Sequence, residues 1–341
     1  MSSLRRARGP LLLIGTSAAA GAAYRAFSSP KPSSASLNPN DFTPYTLVSK
    51  HPVSSTSAIF VLRNENSTVE SDSVKEVWKR SIWSVQIKQP QLQIARAYTP
   101  LPPNLSPKDE KKSQDLRLLI RQEEGGEVSP YLHRLPENTS IEIRGPHTEI
   151  ELPRDIIEVV FLAGGTGIAP AMQVAQALGR RTGSRMHILW ANRRREECEG
   201  GVSDETPNMV QEGRTGWWKS LFGGVPETHE PLDDENNVAH AGLIVQELDK
   251  LKRRSEAATR GLKVQYYVDE EKTFIQPEDI TKRLRAAQEE KGSKLVIVSG
   301  PDGFIDYWAG KKIWAGGREV QGPLGGQLSK MNLGDWKVVK L

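Results

Sequence analysis

The feature that most constrains the fold of this chain is an apolar run that leads directly into a glycine turn. Residues 156–163 read IIEVVFLA, which predicts a buried strand, and Gly164–Pro170 reads GGTGIAP. The next residues, Ala171–Leu178, are predicted to form an amphipathic helix. In this strand–turn–helix context glycines indicate a phosphate site, because they let the backbone approach a pyrophosphate closely. The pattern is G-x-G-x-x-P, so it differs from the G-x-G-x-x-G of dinucleotide-binding folds.

Strands and helices continue to alternate towards the C-terminus, which predicts a parallel α/β sheet over residues 154–341. A second helix is predicted at Pro277–Gln288. Ligands of such sheets bind beyond the carboxyl ends of the strands, where Asp269 and the loop at Gly300–Phe304 also lie. The predicted strands are Ile156–Ala163, His187–Ala191, Leu262–Val268 and Lys294–Ser299.

Residues 41–153 are rich in short β runs separated by turn residues, which predicts an antiparallel barrel or sandwich. One short helix is predicted at Ser129–Leu135, with Ser129 as its N-cap and Pro130 at the first helical position. The predicted strands are Tyr45–Lys50, Ser57–Arg63, Ile82–Gln89, Gln91–Ala97, Asp115–Arg121 and Ser140–Arg144.

Two motifs in this region have the chemistry of a phosphate site. Arg96–Thr99 reads RAYT at a strand end, where Arg96 supplies a forked cationic donor and alternation places Tyr98 on the same face. Gly125–Leu132 reads GGEVSPYL, with glycines ahead of a helix whose first N–H groups suit an anion. Taken singly, each is better explained as ordinary structure, a surface strand end and a glycine loop.

The basic charge of the chain is concentrated in its first 40 residues. They hold five of the 46 lysines and arginines and none of the 42 acidic residues, which leaves 41 basic against 42 acidic residues elsewhere. A nearly neutral body argues against nucleic-acid binding, for which a basic face is expected. One cysteine and six scattered histidines argue against a disulfide framework, an iron–sulfur cluster or a metal site.

Residues 1–40 are predicted to be a mitochondrial leader, because they are rich in Arg and Ser and free of acidic residues. A secretory signal is the competing interpretation, since an Ala-x-Ala-like site occurs near Ala18–Ala20. The apolar run Gly9–Tyr24 spans 16 residues, short of the ~20 that a spanning helix needs. It predicts either a cleaved presequence or a short membrane helix that leaves the downstream domains in the intermembrane space, with residues 28–40 as a linker.

Residues 193–240 interrupt the α/β pattern with a long insertion, and insertions of this length are usually functional or disordered. It opens with Arg193–Arg195 and contains the apolar run WWKSLF at residues 217–222. That run predicts either a turn packed on its own domain, or an exposed docking patch or membrane-surface helix.

Together, five motifs in this order resemble the ferredoxin–NADP reductase superfamily, nearest its NADH–cytochrome b5 reductase branch, over residues 41–315. The leader, the insertion and the tail Gly322–Gly326 also resemble the fungal flavoproteins that assist cytochrome c import and haem attachment. The motifs are RAYT at Arg96–Thr99, GEVS at Gly126–Ser129, RGP at Arg144–Pro146, GGTGIAP at Gly164–Pro170 and GP at Gly300–Pro301.

The resemblance implies an all-β Greek-key barrel that binds FAD, followed by an α/β parallel-sheet domain that binds NADH or NADPH. It implies that Arg96 binds the flavin phosphates, that Tyr98 lies along the isoalloxazine ring, and that Thr99 lies near its reactive edge. Thr99 and Ser299 are the implied catalytic residues. The residues implied to hold the flavin pyrophosphate are Gly126, Val128 and Ser129. Those implied to bind the nicotinamide nucleotide are Gly164, Gly165, Thr166, Gly167, Asp269, Gly300, Pro301 and Phe304.

The chain departs from the family pattern at four places, one of which is the longer Pro- and Lys-rich loop Leu101–Asp115 after the flavin motif. Ser299 stands where the family usually has a cysteine before Gly-Pro, and Ala169 replaces a common threonine that contacts the flavin. The cytochrome b5 reductases end in an aromatic residue that shields the flavin, whereas this chain runs on to Leu341. Trp314 or Trp336 is the candidate substitute for that aromatic residue.

Two functions are compatible with this pattern. The first is an FAD-dependent NAD(P)H oxidoreductase that passes electrons to haem or to a haem protein, such as a c-type or b-type cytochrome, at the mitochondrial inner membrane. The second is a non-enzymatic mitochondrial assembly or import factor that retains the fold. Ser299, Ala169 and the insertion favour the second.

The choice of nucleotide depends on two features that disagree. Asp269 ends a strand where the resemblance places an acid near the adenosine ribose, and a carboxylate there accepts from the 2′-OH of NADH and repels the 2′-phosphate of NADPH. Arg193–Arg195 follow the neighbouring strand end and could pair with that phosphate. Asp269 closes a strand directly, so the sequence favours NADH.

Overall fold

The computed structural model describes residues 36–64, 72–103, 115–179, 181–205, 241–256 and 261–341. Most of the predicted leader lies outside these ranges, and so does the apolar run at residues 217–222 of the insertion. Within the described ranges, no helix is both long and apolar enough to cross a membrane.

Six antiparallel strands in the N-terminal half form a sheet that closes into a barrel. They are β1 (Thr43–Pro52), β2 (Ser57–Arg63), β3 (Ser81–Gln89), β4 (Ile94–Tyr98), β5 (Leu116–Arg121) and β6 (Ser140–Glu151). The strand order is β4-β3-β6-β1-β2-β5. The sheet closes after β4, where Pro100 bridges Leu118 and the Leu101 N–H donates to the Arg117 carbonyl at 2.7 Å. The implied Greek-key barrel is therefore confirmed.

Strand β6 continues past Arg144, where the sequence predicted its end. The pairing of β3 with β6 shifts register between Ser84 and Gln86, opposite the Gly145–Pro146 dipeptide. Such a bulge accommodates a proline, which cannot donate a hydrogen bond to the ladder. The strand therefore runs on to Glu151.

A helix that the sequence did not predict, α1 (Asp72–Arg80), packs beside β3. It buries Val74 and Trp78, which lie one turn apart on the same face. The Trp78 ring meets Trp83 of β3 edge-on, with the centroids 5.0 Å apart.

Helix α2 (Val128–Arg134) forms where the sequence predicted a helix, but its capping differs. Its N-cap is Glu127, so the prediction of Ser129 as N-cap is wrong. Ser129 lies inside the first turn, and its hydroxyl accepts a hydrogen bond from the Glu123 N–H at 3.1 Å. The hydroxyl thus holds the preceding loop instead of ending the helix.

Five parallel strands form the second sheet, in the order β13-β10-β7-β8-β9. They are β7 (Ile156–Gly164), β8 (Arg185–Asn192), β9 (Gly261–Val268), β10 (Ser293–Ser299) and β13 (Lys337–Lys340), and a separate hairpin joins β11 (Ile313–Ala315) to β12 (Arg318–Val320). The helices of this C-terminal domain are α3 (Ile168–Leu178), α4 (Leu243–Glu256), α5 (Pro277–Ala286) and α6 (Asp302–Ala309). The predicted parallel α/β domain is confirmed.

Both faces of the second sheet are buried, which explains why β7 reads as a nearly continuous apolar run. Val159 and Phe161 belong to the core with α3 and α4, whereas Val160 and Leu162 belong to the core with α5 and α6. The first of these cores also contains Ile59, Ile82 and Leu119 of the barrel, so the barrel and the parallel sheet share one hydrophobic core.

The C-terminal extension supplies the edge strand β13. Asp335, just before it, pairs with the fully buried ammonium group of Lys294 at 2.8 Å. Trp336 is buried in the core with α5 and α6, and Trp314 on the β11–β12 hairpin is 76% exposed. Neither tryptophan lines the two cavities described below, and the role of either as a flavin shield stays a prediction.

Candidate flavin and nucleotide site

A cavity of about 290 Å³, here called the barrel cavity, lies at the end of β4 against the loop before α2. It brings together the two motifs, Arg96–Thr99 and Gly125–Leu132, that were each weak alone. It is lined by Arg96, Ala97, Tyr98, Leu119, Ile120, Arg121, Glu123, Gly126, Glu127, Val128, Ser129 and Thr166.

Arg96 and Tyr98 present different chemistry to the barrel cavity. The Arg96 side chain is 55% exposed, and its ion pair with Glu127 is long, at 3.5 Å. A phosphate can displace such a pair, because a guanidinium binds phosphate through two parallel hydrogen bonds. Burial raises the pKa of the Tyr98 phenol well above its ordinary value. Tyr98 therefore stays neutral and keeps its hydroxyl proton.

The loop between β5 and α2 leaves little space for a side chain at Gly126. A Cβ there would lie 3.3 Å from the Glu123 carbonyl and 3.4 Å from the Ser129 hydroxyl. The N–H groups of Val128 and Ser129 belong to the first turn of α2, where no helical carbonyl accepts them. Backbone donors, a hydroxyl and the Arg96 guanidinium thus converge, and this donor set fits the phosphate groups of a flavin nucleotide.

A larger cavity of about 690 Å³, here called the nucleotide cavity, opens at the carboxyl ends of β7, β8 and β9. This is the edge at which parallel sheets bind their ligands. It is lined by Arg121, Gly164, Gly165, Ala191, Asn192, Arg193, Asp269, Phe274, Ile275, Gln276, Pro301, Gly303, Phe304, Tyr307 and Trp308.

The glycines of the turn at Gly164–Gly167 are needed because neighbouring protein atoms leave no space for side chains there. A Cβ at Gly167 would overlap the Ser299 carbonyl, and a Cβ at Gly164 would lie 3.0 Å from the Phe304 ring. Gly165 has a φ of +52°, which a side chain rarely adopts. Gly164 and Gly167 therefore hold the turn against β10 and α6.

Asn192 gives the nucleotide cavity an unsatisfied polar group. It ends β8 and is buried, and neither its Oδ1 nor its Nδ2 has a hydrogen-bond partner among the described residues. A buried polar group without a partner costs about 1–3 kcal/mol. The nucleotide cavity therefore fits a polar ligand that satisfies this amide, as a nicotinamide dinucleotide can.

The structure separates the predicted site residues into three groups. Five of those predicted for the nicotinamide nucleotide line the nucleotide cavity: Gly164, Gly165, Asp269, Pro301 and Phe304. Thr166 instead lines the barrel cavity. The described linings of the two cavities do not include Thr99, Gly167, Ser299 or Gly300. Gly300 nevertheless packs on Gly164 and Phe304, which line the nucleotide cavity. Ser299 is buried at the end of β10, so its catalytic role and that of Thr99 stay predictions.

Sequence reasoning missed several residues that line the nucleotide cavity. Tyr307 and Trp308 follow Phe304 by three and four positions in α6, so helical spacing could have placed them on the same face. Arg121 carries no such local signal, because it ends a barrel strand and reaches the second domain only in the folded chain.

The arginines that open the insertion have separate environments. Arg195 pairs with Glu271, and Arg194 pairs with Glu196 at 3.5 Å. Arg193 lines the nucleotide cavity together with Asp269. The two residues with opposite nucleotide preferences thus share one wall of the cavity.

Known protein families match both the barrel domain and the parallel-sheet domain of this chain. Residues 44–152 match the oxidoreductase FAD-binding domain, and residues 161–215 match the oxidoreductase NAD-binding domain. An FAD-binding protein of Schizosaccharomyces pombe is 31% identical over 228 residues, which cover 64% of this chain and 73% of that protein. The chain belongs to the ferredoxin–NADP reductase superfamily. As a member of the superfamily it is an NAD(P)H-dependent flavin oxidoreductase that uses FAD, as its five motifs implied.

Two further relatives match shorter parts of this reductase. The cytochrome c mitochondrial import factor CYC2 of Saccharomyces cerevisiae is 35% identical over 130 residues, or 34% of each chain. NADH-cytochrome b5 reductase 1 of Lodderomyces elongisporus is 30% identical over 167 residues, or 48% of this chain and 52% of that protein. The chain thus spans about a third of the first and about half of the second.

Among solved structures, the cytochrome b5 reductase domain of Ulva prolifera nitrate reductase aligns with 80% of this chain and 91% of that chain. The identity is 15% and the TM-score is 0.49. Membership in the superfamily therefore rests on the sequence matches.

Proposed function

We propose that this reductase carries electrons from NAD(P)H through FAD to a haem protein of mitochondria. The observation that carries the proposal is that the two cavities are neighbours, because Arg121 lines both. Two cofactors held in adjoining cavities can meet without a large movement of the protein, and orientation of this kind is what a protein contributes to cofactor chemistry.

The residues of the barrel cavity have distinct roles in this proposal. Arg96 binds the flavin phosphates, assisted by backbone donors at Gly126, Val128 and Ser129. Tyr98 packs along the flavin ring, and its raised pKa keeps it uncharged. Bound FAD can accept a hydride from a nicotinamide and pass its electrons on singly, which suits a haem acceptor.

The residues at the junction of the two cavities align the nucleotide. The glycine turn at Gly164–Gly167 admits its backbone, and Pro301 and Phe304 form a wall beside the nicotinamide. Thr99, directly after β4, lies near the reactive edge of the flavin in this proposal. Ser299 supports the glycine turn, because its carbonyl packs closely on Gly167.

Support for a haem acceptor in mitochondria comes from the relatives and the leader. Cytochromes appear in the names of both the yeast import factor and the b5 reductase. The first 40 residues have the composition of a mitochondrial leader. We place the domains at the inner membrane, facing the intermembrane space.

The acceptor is tested with purified holoprotein, NADH and either ferric cytochrome c or ferric cytochrome b5. We expect NADH-dependent reduction of at least one of them, at a rate that depends on the amount of reductase. Flavin that NADH reduces but neither cytochrome reoxidises would refute the haem-protein acceptor and favour an assembly or import factor.

The location is tested by fractionating mitochondria. The protein should stay in the pellet after carbonate extraction and become sensitive to protease once the outer membrane is opened. Extraction as a soluble protein together with protection from protease would place it in the matrix.

A further inference from the structure

Arg121 occupies the junction between the barrel cavity and the nucleotide cavity. It ends β5 of the barrel, and its guanidinium extends over the glycine turn of the second domain. A Cβ at Gly165 would lie 3.0 Å from its Nη2 and 3.2 Å from its Nη1. The cation therefore lies directly on the turn that a dinucleotide must approach.

Glu197 holds this guanidinium from the side of the second domain. Arg121 Nη2 donates to Glu197 Oε1 at 2.5 Å, and the two side chains are only 11% and 7% exposed. The second carboxylate oxygen of Glu197 accepts from the Arg193 N–H at 3.3 Å. The same carboxylate thus fixes both the cation and the backbone that follows β8.

The guanidinium retains unused hydrogen-bonding capacity. Arg121 Nε is buried without a partner among the described residues. Because the site is shielded from water, the charges of Arg121 and Glu197 act strongly on each other and on any anion nearby. A dinucleotide that reaches the glycine turn brings an anionic pyrophosphate to this pair.

We propose that Glu197 is a positioning residue that holds Arg121 between the two cavities and offsets its charge. This inference rests on the proposed binding of NAD(P)H in the nucleotide cavity. With Glu197 in place, the dinucleotide binds more weakly than it would to an unpaired guanidinium, but in a defined orientation. Without it, Arg121 attracts the pyrophosphate more strongly and no longer holds one position, so affinity rises while hydride transfer slows.

The chain contains a matched control for this pair. Arg117 lies four residues earlier on β5 and forms an ion pair across the domains with Glu247 of α4. Its side chain is 11% exposed, as is that of Arg121. Neither Arg117 nor Glu247 lines the barrel or nucleotide cavity. Breaking this pair disturbs the domain contact without removing a charge from the junction.

The test measures the affinity of the FAD-loaded protein for ADP-ribose and NAD⁺ by calorimetry, and the limiting rate of flavin reduction by NADH in a stopped-flow instrument. The variants are Glu197→Gln, Arg121→Gln, their combination and the control Glu247→Gln. We expect Glu197→Gln to tighten ADP-ribose binding about 5- to 10-fold at low salt and to lower the limiting rate. Arg121→Gln should weaken binding, and adding Glu197→Gln to it should tighten binding by much less than Glu197→Gln does alone, because no guanidinium is left to release. Glu247→Gln should stay within about twofold of wild type.

In Glu197→Gln, a higher affinity for ADP-ribose together with a lower limiting rate indicates that Glu197 positions Arg121. If Glu197 only supported the fold, its replacement would lower both the affinity and the rate. If Glu197→Gln loses flavin, Glu197→Asp replaces it, because it keeps the charge and shortens the reach; the rate should then fall with no gain in affinity. Unchanged affinity in Glu197→Gln, a rate unchanged in Glu197→Asp, or an equal effect with and without Arg121 overturns the inference alone. A wild-type protein that binds neither ADP-ribose nor NAD⁺ overturns it together with the proposed function.

Discussion

The side-chain amide of Gln173 pairs with both backbone groups of Trp83 across the two domains. Gln173 Oε1 accepts from the Trp83 N–H at 2.9 Å, and its Nε2 donates to the Trp83 carbonyl at 3.1 Å and to the Pro100 carbonyl at 2.9 Å. The register of β3 against β6 shifts between Ile82 and Trp83. A glutamine of α3 thus completes the hydrogen bonding of an irregular barrel strand and fixes the barrel on the parallel sheet.

Replacing Gln173 with methionine should destabilise the protein by about 2–4 kcal/mol, because it leaves buried backbone groups of Trp83 and Pro100 without partners. The free energy of unfolding in urea measures this. Gln176→Met is the matched control, since Gln176 lies on the same helix and its side chain makes no hydrogen bond within the described residues. Equal losses for the two variants would show that the contact with Trp83 is not what stabilises the interface.

Replacing Arg96 with alanine should yield protein largely without flavin. The loss of a hydrogen bond to a charged group costs about 1.5–3 kcal/mol, or roughly 10- to 100-fold in affinity. Flavin absorbance per protein and titration of the apoprotein with FAD measure the change. Arg134→Ala, an exposed position at the end of α2, should keep its flavin. An Arg96→Ala protein that retains full flavin affinity would remove Arg96 from the phosphate site.

NADH should reduce the flavin faster than NADPH at limiting concentration, because Asp269 repels the 2′-phosphate. Asp269→Ala should narrow that difference, and Arg193→Ala should widen it, since both residues line the nucleotide cavity. Arg194→Ala is the control, because Arg194 is held by Glu196 and lies outside that lining. Faster reduction by NADPH that is lost in Arg193→Ala and kept in Asp269→Ala would show that the arginine decides.

Acid should destabilise the fold through His187. Burial, assisted by the charge of Arg283, lowers the pKa of His187 from 6.5 to about 4. Between those values the unfolded chain binds a proton that the native protein does not, so stability falls as the pH falls. His187 should account for about 1–2 kcal/mol of the stability lost between pH 7 and pH 5, and His187→Gln should lose less stability by that amount. Urea unfolding at several pH values gives the slope, and identical slopes for the two proteins would contradict this assignment.

The strands were predictable because their signal is local. The continuous apolar run of β7 and the turn residues between barrel strands mark them directly. Helix α1 escaped prediction because its polar sequence buries only Val74 and Trp78. The sequence predicts that β6 ends at Arg144 because turn residues follow it. The strand continues past Pro146 because a bulge forms against β3, and a bulge depends on the partner strand.

The candidate site was predictable where a motif coincides with a strand end, as at Arg96 and Gly164, or with a helix start, as at Gly126. It was not predictable where the two domains meet. Arg121 and Glu197 lie 76 positions apart in sequence and become partners only through the packing of α3 against the barrel. Thr166 likewise faces the barrel cavity, because the glycine turn lies on the end of β5.

The most direct test of this account is an anaerobic titration of the purified protein with NADH, followed through the flavin absorbance. We expect a yellow protein that bleaches with one equivalent of NADH per bound FAD and regains its colour when a ferric haem protein is added. A protein that carries no flavin even after incubation with FAD, or whose flavin stays oxidised in excess NADH and NADPH, would contradict it.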